Sequence, residues 1–193
     1  EKDLRAMLFF PKKKESYFSE VFREENVELQ GIQSELSFME RFLRYISLAA
    51  LDTETLRIKR RTEMRGSGAL LSRCIAGRKA NQKFLRFLSD RLTPRGNLEK
   101  LFDVHRPELV FATDIQNEFD LRLLHCARRR GVKTAAMIRS WDNPTSKGLL
   151  RFVPDALLVH NEIVKKELET LHGVPAHKIT VIGIPHYDFY REP

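Results

Sequence analysis

Short apolar runs alternate with amphipathic segments through the second half of the chain, and this alternation constrains the fold more than any other feature. Four runs have the length and composition of buried strands: Leu109–Ala112, Val132–Ile138, 156–161 and Lys178–Ile182. Residues 117–130 and 162–171 lie between such runs and show helical periodicity. Strands and helices in alternation predict a parallel sheet with right-handed crossovers.

The first half of the chain adds two strands and a helical region to this pattern. Leu4–Phe10 and Asn26–Ile32 read as strands, and from residue 34 the apolar spacing becomes helical, with Ser34 or Ser37 as the N-cap. A long helix is predicted over Ala69–Leu92. With 193 residues and 42% hydrophobic content, the chain is predicted to be a single α/β domain over 1–193, a Rossmann-like parallel sheet flanked by helices.

Basic residues are concentrated between Arg57 and Arg95. This stretch holds twelve Lys or Arg against two acidic residues, whereas the whole chain carries a net charge of +8, so the remainder is nearly neutral. Pairing at i,i+4 cannot neutralise such an excess, which favours an anionic partner, either lipid headgroups or a phosphate-bearing substrate, over plain solvated helices. The cations predicted on the outer face of the 69–92 helix are Arg73, Arg78, Lys79, Lys83 and Arg86.

Several partner and site classes are not expected. Phe84 and Phe87 fall among apolar helix positions, so the aromatic interleaving suited to nucleic acid is weak. The chain has no metal-ligand spacing and no glycine-rich phosphate motif, so no metal or cofactor is predicted. Cys74 and Cys126 are predicted to be small buried residues, which suits a reducing compartment. Without a spanning apolar run or a signal peptide, we expect a cytoplasmic protein, at most attached to the inner face of a membrane.

Polar residues follow four of the predicted strands at their carboxyl ends. They are Thr113 and Asp114, then Ser140–Asn143, then His160 and Asn161, then Gly183–His186. In a parallel sheet these ends meet at one edge, where ligands of α/β proteins bind. The pattern therefore predicts a binding site at this edge, although turns are polar for local reasons as well.

Individual residues in these loops have both a chemical and a structural interpretation. Asp114 is a candidate general base or a helix cap. Trp141 suits stacking on a sugar or base, or simple packing, and His160 suits ligand binding or a structural hydrogen bond. Ser146 and Lys147 stand at a predicted helix start, where free backbone N–H groups and a lysine favour phosphate or carboxylate. The residues predicted to bind substrate are Ser140, Trp141, Asp142, Asn143, Ser146, Lys147, His160 and His186.

Two segments resemble a known family. SWDNPTSKG, at Ser140–Gly148, and VIGIPHYDFY, at Val181–Tyr190, resemble the amino-terminal half of GT-B-fold glycosyltransferase-like proteins of bacterial surface polysaccharide synthesis. The resemblance is to CDP-glycerol glycerophosphotransferase-like and capsule-type members. In these, one strand ends in a W-D-N-x-T-S-K-G-like loop and a later strand ends in G-x-P-x-x-D, here Gly183, Pro185 and Asp188.

The resemblance implies one half of a GT-B architecture, in which two Rossmann-like domains face a cleft. The amino-terminal domain would bind a sugar or polyol-phosphate acceptor, and a carboxyl-terminal partner domain would bind most of the nucleotide-activated donor. It implies that this chain lacks the first strand and the partner domain and is not active alone. Asp114 would remove the acceptor proton, while Asn143, Ser146 and Lys147 would position anionic or hydroxyl groups.

Two other functions are consistent with the sequence. One is a sugar enzyme similar to UDP-N-acetylglucosamine 2-epimerase, which would share the fold. The other is a non-catalytic module whose basic helices bind an anionic membrane or nucleic acid.

Overall fold

The computed structural model describes residues 5–22, 27–32, 35–63, 67–94, 96 and 98–184. Within these ranges the protein is α/β, with parallel strands flanked by helices, as a Rossmann-like fold requires. The chain divides into two compact units, Glu1–Leu36 and Ser37–Pro193, and each contains one sheet. The expectation of a single domain over 1–193 stays a prediction.

The first unit contains a two-stranded parallel sheet. Its elements are β1 (Ala6–Pro11), a 3-10 turn (Lys12–Lys14), α1 (Glu15–Val21) and β2 (Val27–Ile32). The ring of Phe10, which is buried, stacks on Phe18 of α1 with centroids 4.7 Å apart, and this apolar contact joins the helix to the strand. Both predicted strands are present; their predicted first residues, Leu4 and Asn26, lie outside the described part of the chain.

The second unit contains a four-stranded parallel sheet in the order β3-β4-β5-β6. The strands are β3 (Leu109–Ala112), β4 (Lys133–Met137), β5 (Ala156–Val159) and β6 (Ile179–Val181). All four predicted strands are confirmed. Each pairs with its neighbour in sequence, so the carboxyl ends of β3, β4 and β5 lie side by side.

Eight helices of the described chain belong to the second unit. They are α2 (Phe38–Ala50), α3 (Glu54–Glu63), α4 (Ser67–Ile75), α5 (Lys79–Leu92), α6 (Leu98–His105), α7 (Glu118–Arg129), α8 (Asn143–Ser146) and α9 (Glu162–His172). One apolar cluster packs the sheet against α7 and α9, through residues such as Leu124, Leu157 and Leu168. A second cluster, which includes Leu43 and Leu85, joins α2, α3 and α5 to the chain after α8.

Helix α2 begins where the sequence predicts. Ser37 Oγ accepts a hydrogen bond from the Glu40 N–H, and the Glu40 carboxylate accepts one from the Ser37 N–H, so the two residues form a capping box. The alternative cap, Ser34, lies outside the described residues. The Glu40 carboxylate also accepts hydrogen bonds from the Arg122 guanidinium, and this ion pair joins α2 to α7.

The single helix predicted over Ala69–Leu92 is wrong, because the chain breaks between α4 and α5. Gly77 adopts φ 71° at the break, a left-handed conformation that ends a helix. The helical phase therefore does not continue from one helix to the next, and side-chain directions predicted from it are partly wrong. Cys74 is exposed and Phe84 is 61% exposed, although both were expected inside. Cys126 on α7 is buried, as expected.

No helix in the described ranges combines the length and the apolar character needed to cross a bilayer.

Candidate functional site

The loop after β4 is held together by the Asp142 carboxylate. Ser140 Oγ donates to one of its oxygens, and Ser146 Oγ donates to the other at 3.0 Å. The hydrogen bond from Ser140 and the one from Ser146 lower the pKa of Asp142, so the group is ionised at neutral pH. These three residues, which were predicted to bind substrate, use their polar groups on one another and shape the loop.

The predicted helix start at Ser146–Gly148 is wrong. A one-turn helix, α8, begins at Asn143 with Pro144 in its first turn, and it ends at Ser146. Lys147 N–H donates to Asn143 O at 3.1 Å, and Gly148 leaves the helix with φ 83°. Ser146 and Lys147 therefore stand at a helix end, and the expected anion site on free N–H groups is absent there. The proline was the available signal, because proline favours the first turn of a helix.

Asp114 and Lys147 join the β3 and β4 loops. Lys147 Nζ lies 3.0 Å from Asp114 Oδ2; the lysine side chain is 41% exposed and the aspartate side chain only 7%. The other Asp114 oxygen accepts the N–H of Gln116 at 3.1 Å. Helix α7 is capped by Asn117, whose Oδ1 accepts the Phe119 N–H. Asp114 is therefore not the helix cap, and its carboxylate faces the neighbouring loop.

Three enclosed polar atoms at this edge have no hydrogen-bond partner among the described residues. They are Gln116 Oε1 after β3, Asn143 Nδ2 after β4 and His160 Nδ1 after β5. Asn143 is 2% exposed and His160 is 9% exposed. A buried polar group left unpaired costs about 1–3 kcal/mol, so three on adjacent strand ends mark a place where a polar ligand can supply partners. We call the Asp114–Lys147 pair and these three residues the carboxyl-edge site.

Gln116 was not predicted from the sequence. Its Nε2 donates to Gly148 O at 3.1 Å, which fixes the side chain between the β3 and β4 loops. The residue lies two positions after Asp114 in a polar turn, and nothing in the sequence distinguishes it from an ordinary turn residue. Asn161, in contrast, caps α9 by accepting the Val164 N–H and is structural.

Asp120, also not predicted, lies beside Asp114. Its Oδ2 accepts the Asp114 N–H at 2.8 Å. Burial raises the pKa of Asp120 to about 6, the Asp114 charge acts in the same direction, and the hydrogen bond opposes both. A carboxyl group that titrates close to neutral pH is suited to proton transfer. The sequence signal would have been an acid in the first turn of the helix that follows a strand-end acid.

Two other predicted site residues have different outcomes. Trp141 is 71% exposed, so it is not a packing residue and its ring is free for a ligand to stack on. His186, together with Pro185 and Asp188 of the second motif, lies outside the described residues.

The basic surface is smaller than the sequence indicated. Arg73, Arg78, Lys79 and Lys83 are exposed, as predicted. The prediction that Arg86 lies outward is wrong: its Nε donates to Leu150 O at 3.0 Å and its Nη2 donates to His172 O, because its long side chain reaches carbonyls that the helices and loops leave unpaired. Burial lowers the pKa of Arg86 to about 10.

Ser89, His125 and Asp90 form a chain of hydrogen bonds in the order of a hydrolase triad. His125 Nε2 lies 3.2 Å from Ser89 Oγ, and His125 Nδ1 lies 3.0 Å from Asp90 Oδ1. Ser89 has no exposed surface, however, so no substrate reaches its hydroxyl. Burial also lowers the pKa of His125 to about 4, which keeps the ring neutral. The chain of hydrogen bonds joins α5 to α7 and is structural.

Comparisons with protein-family models, with curated proteins and with solved structures gave no match for this chain. In the described part of the chain, no three His, Cys, Asp or Glu side chains are arranged to hold a metal ion.

Proposed function

We propose that the chain supplies the acceptor-binding half of a GT-B-fold enzyme of surface polysaccharide synthesis, a glycosyl- or glycerophospho-transferase. The Asp114–Lys147 contact carries the proposal, because it places a carboxylate and an ammonium from two strand ends 3.0 Å apart at the edge where α/β proteins bind ligands. The SWDNPTSKG loop supports the same assignment, since it contributes the lysine.

The unpaired groups of the carboxyl-edge site favour an acceptor that carries hydroxyl groups. A hydroxyl both donates and accepts, so a polyol or sugar can satisfy Gln116 Oε1 as a donor and Asn143 Nδ2 as an acceptor. Both atoms are enclosed, so binding requires rotation of neighbouring side chains. The exposed Trp141 ring adds an apolar face that suits a sugar ring.

Lys147 suits an anionic group on the same acceptor. When a phosphate group of the acceptor binds the Lys147 ammonium, Asp114 Oδ2 loses its hydrogen bond from Lys147. The free carboxylate oxygen can then receive the proton of the acceptor hydroxyl. The hydroxyl oxygen then bonds to the activated carbon or phosphorus of the donor. The bond to the donor's nucleotide phosphate breaks, and the nucleotide leaves with the electron pair. The partner domain would hold the donor.

The test is acceptor binding by the full 193-residue chain, measured by NMR or calorimetry with glycerol 3-phosphate and a sugar phosphate. Lys147→Met is expected to weaken binding by roughly tenfold, the loss of one charge-assisted hydrogen bond. Lys166→Met is the matched control, because Lys166 is an exposed lysine of α9. The proposal fails if neither compound binds, or if the two lysine variants bind equally well.

The epimerase alternative is tested in parallel. UDP-N-acetylglucosamine added alone should remain unchanged under the transferase proposal, whereas its conversion to the 2-epimer would favour the epimerase.

A second candidate function, binding to an anionic membrane surface, rests on α4 and α5. Phe84 and Phe87 of α5 are 61% and 55% exposed, and the exposed cations of α4, α5 and the turn between them are Arg73, Arg78, Lys79 and Lys83. Exposed aromatic and basic side chains together suit the headgroup region of a membrane. Changing these four cations to Glu should abolish co-sedimentation with phosphatidylglycerol vesicles. Unchanged co-sedimentation would remove this function.

A further inference from the structure

A cavity with charged residues in its walls lies away from the carboxyl-edge site. It has a volume of about 280 Å³ and is lined by Arg86, Phe87, Asp90, Arg128, Arg151 and Val153. Arg128 precedes β4, and Arg151 and Val153 precede β5, so this arginine cavity lies toward the amino-terminal ends of the strands. The carboxyl-edge site lies at their opposite ends.

The arginine cavity contains a cation without an anion. Arg86 donates to the carbonyls of Leu150 and His172, and no described carboxylate forms an ion pair with it. Burial and repulsion by Arg128 lower the pKa of Arg86 to about 10, so the guanidinium remains charged at neutral pH. An uncompensated charge in a partly buried position is costly, and a bound anion would relieve that cost.

Two arginines lie beside Asp90, the carboxylate that the described residues contribute to the cavity wall. Arg128 Nε and Arg129 Nε lie 3.8 Å and 4.0 Å from Asp90 Oδ1. Arg129 Nη2 is enclosed and has no hydrogen-bond partner among the described residues. Arg151 is already paired with Glu118 and adds no net charge. Among the charged groups that line the cavity, Arg86 and Arg128 face the carboxylate of Asp90, and Arg129 lies beside the same carboxylate, so positive charge is in excess there.

The geometry of the other walls restricts the ligand further. The Arg128 guanidinium lies over the Phe152 ring, 3.8 Å from its centroid, which holds the cation in place. Phe87, 55% exposed, and Val153 supply apolar surface beside the cations. The cavity is thus prepared for a compact anionic group with a small apolar body attached.

We propose that the arginine cavity binds the phosphoryl group of a small phosphate monoester, with Arg86 and Arg128 as its principal donors. A phosphate monoester carries nearly two negative charges at neutral pH, which suits this excess of positive charge, and guanidinium groups match its oxygens bidentately. The ester group lies against Phe87 and Val153. This site is separate from the acceptor site and does not depend on the transferase assignment.

The test uses the full chain carrying Lys147→Met, which removes the lysine of the carboxyl-edge site. Inorganic phosphate and phenyl phosphate are titrated by NMR, with acetate as the carboxylate control. Both phosphates are expected to shift the amide signals of Phe87 and Arg128, phenyl phosphate more tightly. Arg128→Gln should weaken binding by roughly tenfold or more, since it removes a charged donor.

Two further variants test whether phosphate affinity follows the charge inside the cavity. Asp90→Asn keeps the acceptor for His125 and removes the negative charge, so it should tighten phosphate binding. Arg73→Gln removes an exposed charge outside the cavity and should leave binding unchanged. Equal weakening by Arg128→Gln and Arg73→Gln, tighter binding of acetate than of phosphate, or no shift at millimolar phosphate would overturn the proposal. Vesicles with phosphatidic acid that bind while both soluble phosphates do not would also overturn it.

Discussion

Asp120 is a partly buried carboxyl group whose ionisation opposes folding at neutral pH. Its pKa is about 6 in the fold, chiefly because of burial, against 3.8 for a free aspartate. A raised folded pKa means that the folded state binds the proton more tightly than the unfolded state. The group therefore adds stability as pH falls from about 6 to about 4, and it subtracts stability above pH 6.

Asp120→Asn is therefore expected to stabilise the protein at pH 7.5. The gain in the free energy of unfolding is about 1–3 kcal/mol, and the upper value is the energy that corresponds to the whole pKa difference between the folded and unfolded states. The amide oxygen of the new side chain can still accept the hydrogen bond from the Asp114 N–H. Urea unfolding followed by circular dichroism measures the change. The gain should vanish near pH 4, where the native carboxyl group is protonated. A destabilised variant at pH 7.5 would show that the ionised carboxylate supports the fold.

At the scale of residues, the sequence predicted which charged side chains lie near one another, but it did not predict which of them are buried. Asp114 and the loop that contains Lys147 were assigned correctly to neighbouring strand ends, because parallel topology alone brings those ends together, although Lys147 was expected at a helix start. Arg86 was assigned outward because helical periodicity places cations in solvent. Its partners, Leu150 O and His172 O, are 64 and 86 residues away in sequence, and local pattern contains no information about them.

At the scale of elements, the β4 loop and helix α2 come into contact at Gly148. Leu149 N–H donates to Ser47 O at 2.9 Å. A Cβ on Gly148 would lie 2.7 Å from Ser47 O and 2.8 Å from Leu48 N, both backbone atoms that cannot rotate away. Gly148 also has φ 83°, which a residue with a side chain adopts only under strain.

Gly148→Ala should therefore destabilise the protein by about 3 kcal/mol or more, since backbone strain and a steric clash add. Gly131→Ala is the matched control: its φ is 70° and no atom lies within 4 Å of the added Cβ. That variant should lose only about 1–2 kcal/mol, the strain of the left-handed conformation. Thermal and urea unfolding of both proteins give the comparison. Equal losses of stability in the two variants would mean that the backbone of α2 moves away from the added Cβ at little energetic cost.

Elements were predicted unequally well. The six strands were found because short apolar runs between turns have few alternative structures. The break at Gly77 was missed because apolar residues continue on both sides of it, although a glycine after a helical stretch is a usual helix end. Helix α8 was misplaced because one turn is too short to show periodicity.

For the whole molecule, two buried histidines determine the response to acid. Burial lowers the pKa of both His125 and His172 to about 4. His172 is held neutral between Leu150 N–H and Pro144 O, and protonation would disrupt the acceptor role of its Nδ1. A lowered folded pKa means that stability is fully present above about pH 6.5 and is lost as pH falls toward 4.

The free energy of unfolding should therefore fall by a few kcal/mol between pH 7 and pH 4.5. Each histidine contributes up to about 3 kcal/mol, and Asp120 offsets part of the sum. Urea unfolding at a series of pH values measures the loss. His177→Gln, a change at an exposed histidine, should leave the profile unaltered. If the free energy of unfolding did not change over this pH range, burial would not be lowering the pKa of either histidine as described.

The consecutive order of β3, β4, β5 and β6 also has a consequence for the time course of folding. Each strand pairs with the next one synthesised, as in the pairs Leu109–Lys133, Ala135–Ala156 and Leu157–Ile179, so no strand of this sheet waits for one made much later. The helices made before it attach through long-range contacts: Thr53 to Thr145, Gln82 to Leu171 and Arg86 to His172. On the ribosome, α2, α3 and α5 must wait for the last quarter of the chain, so we expect their apolar faces to be the surfaces that chaperones meet during synthesis.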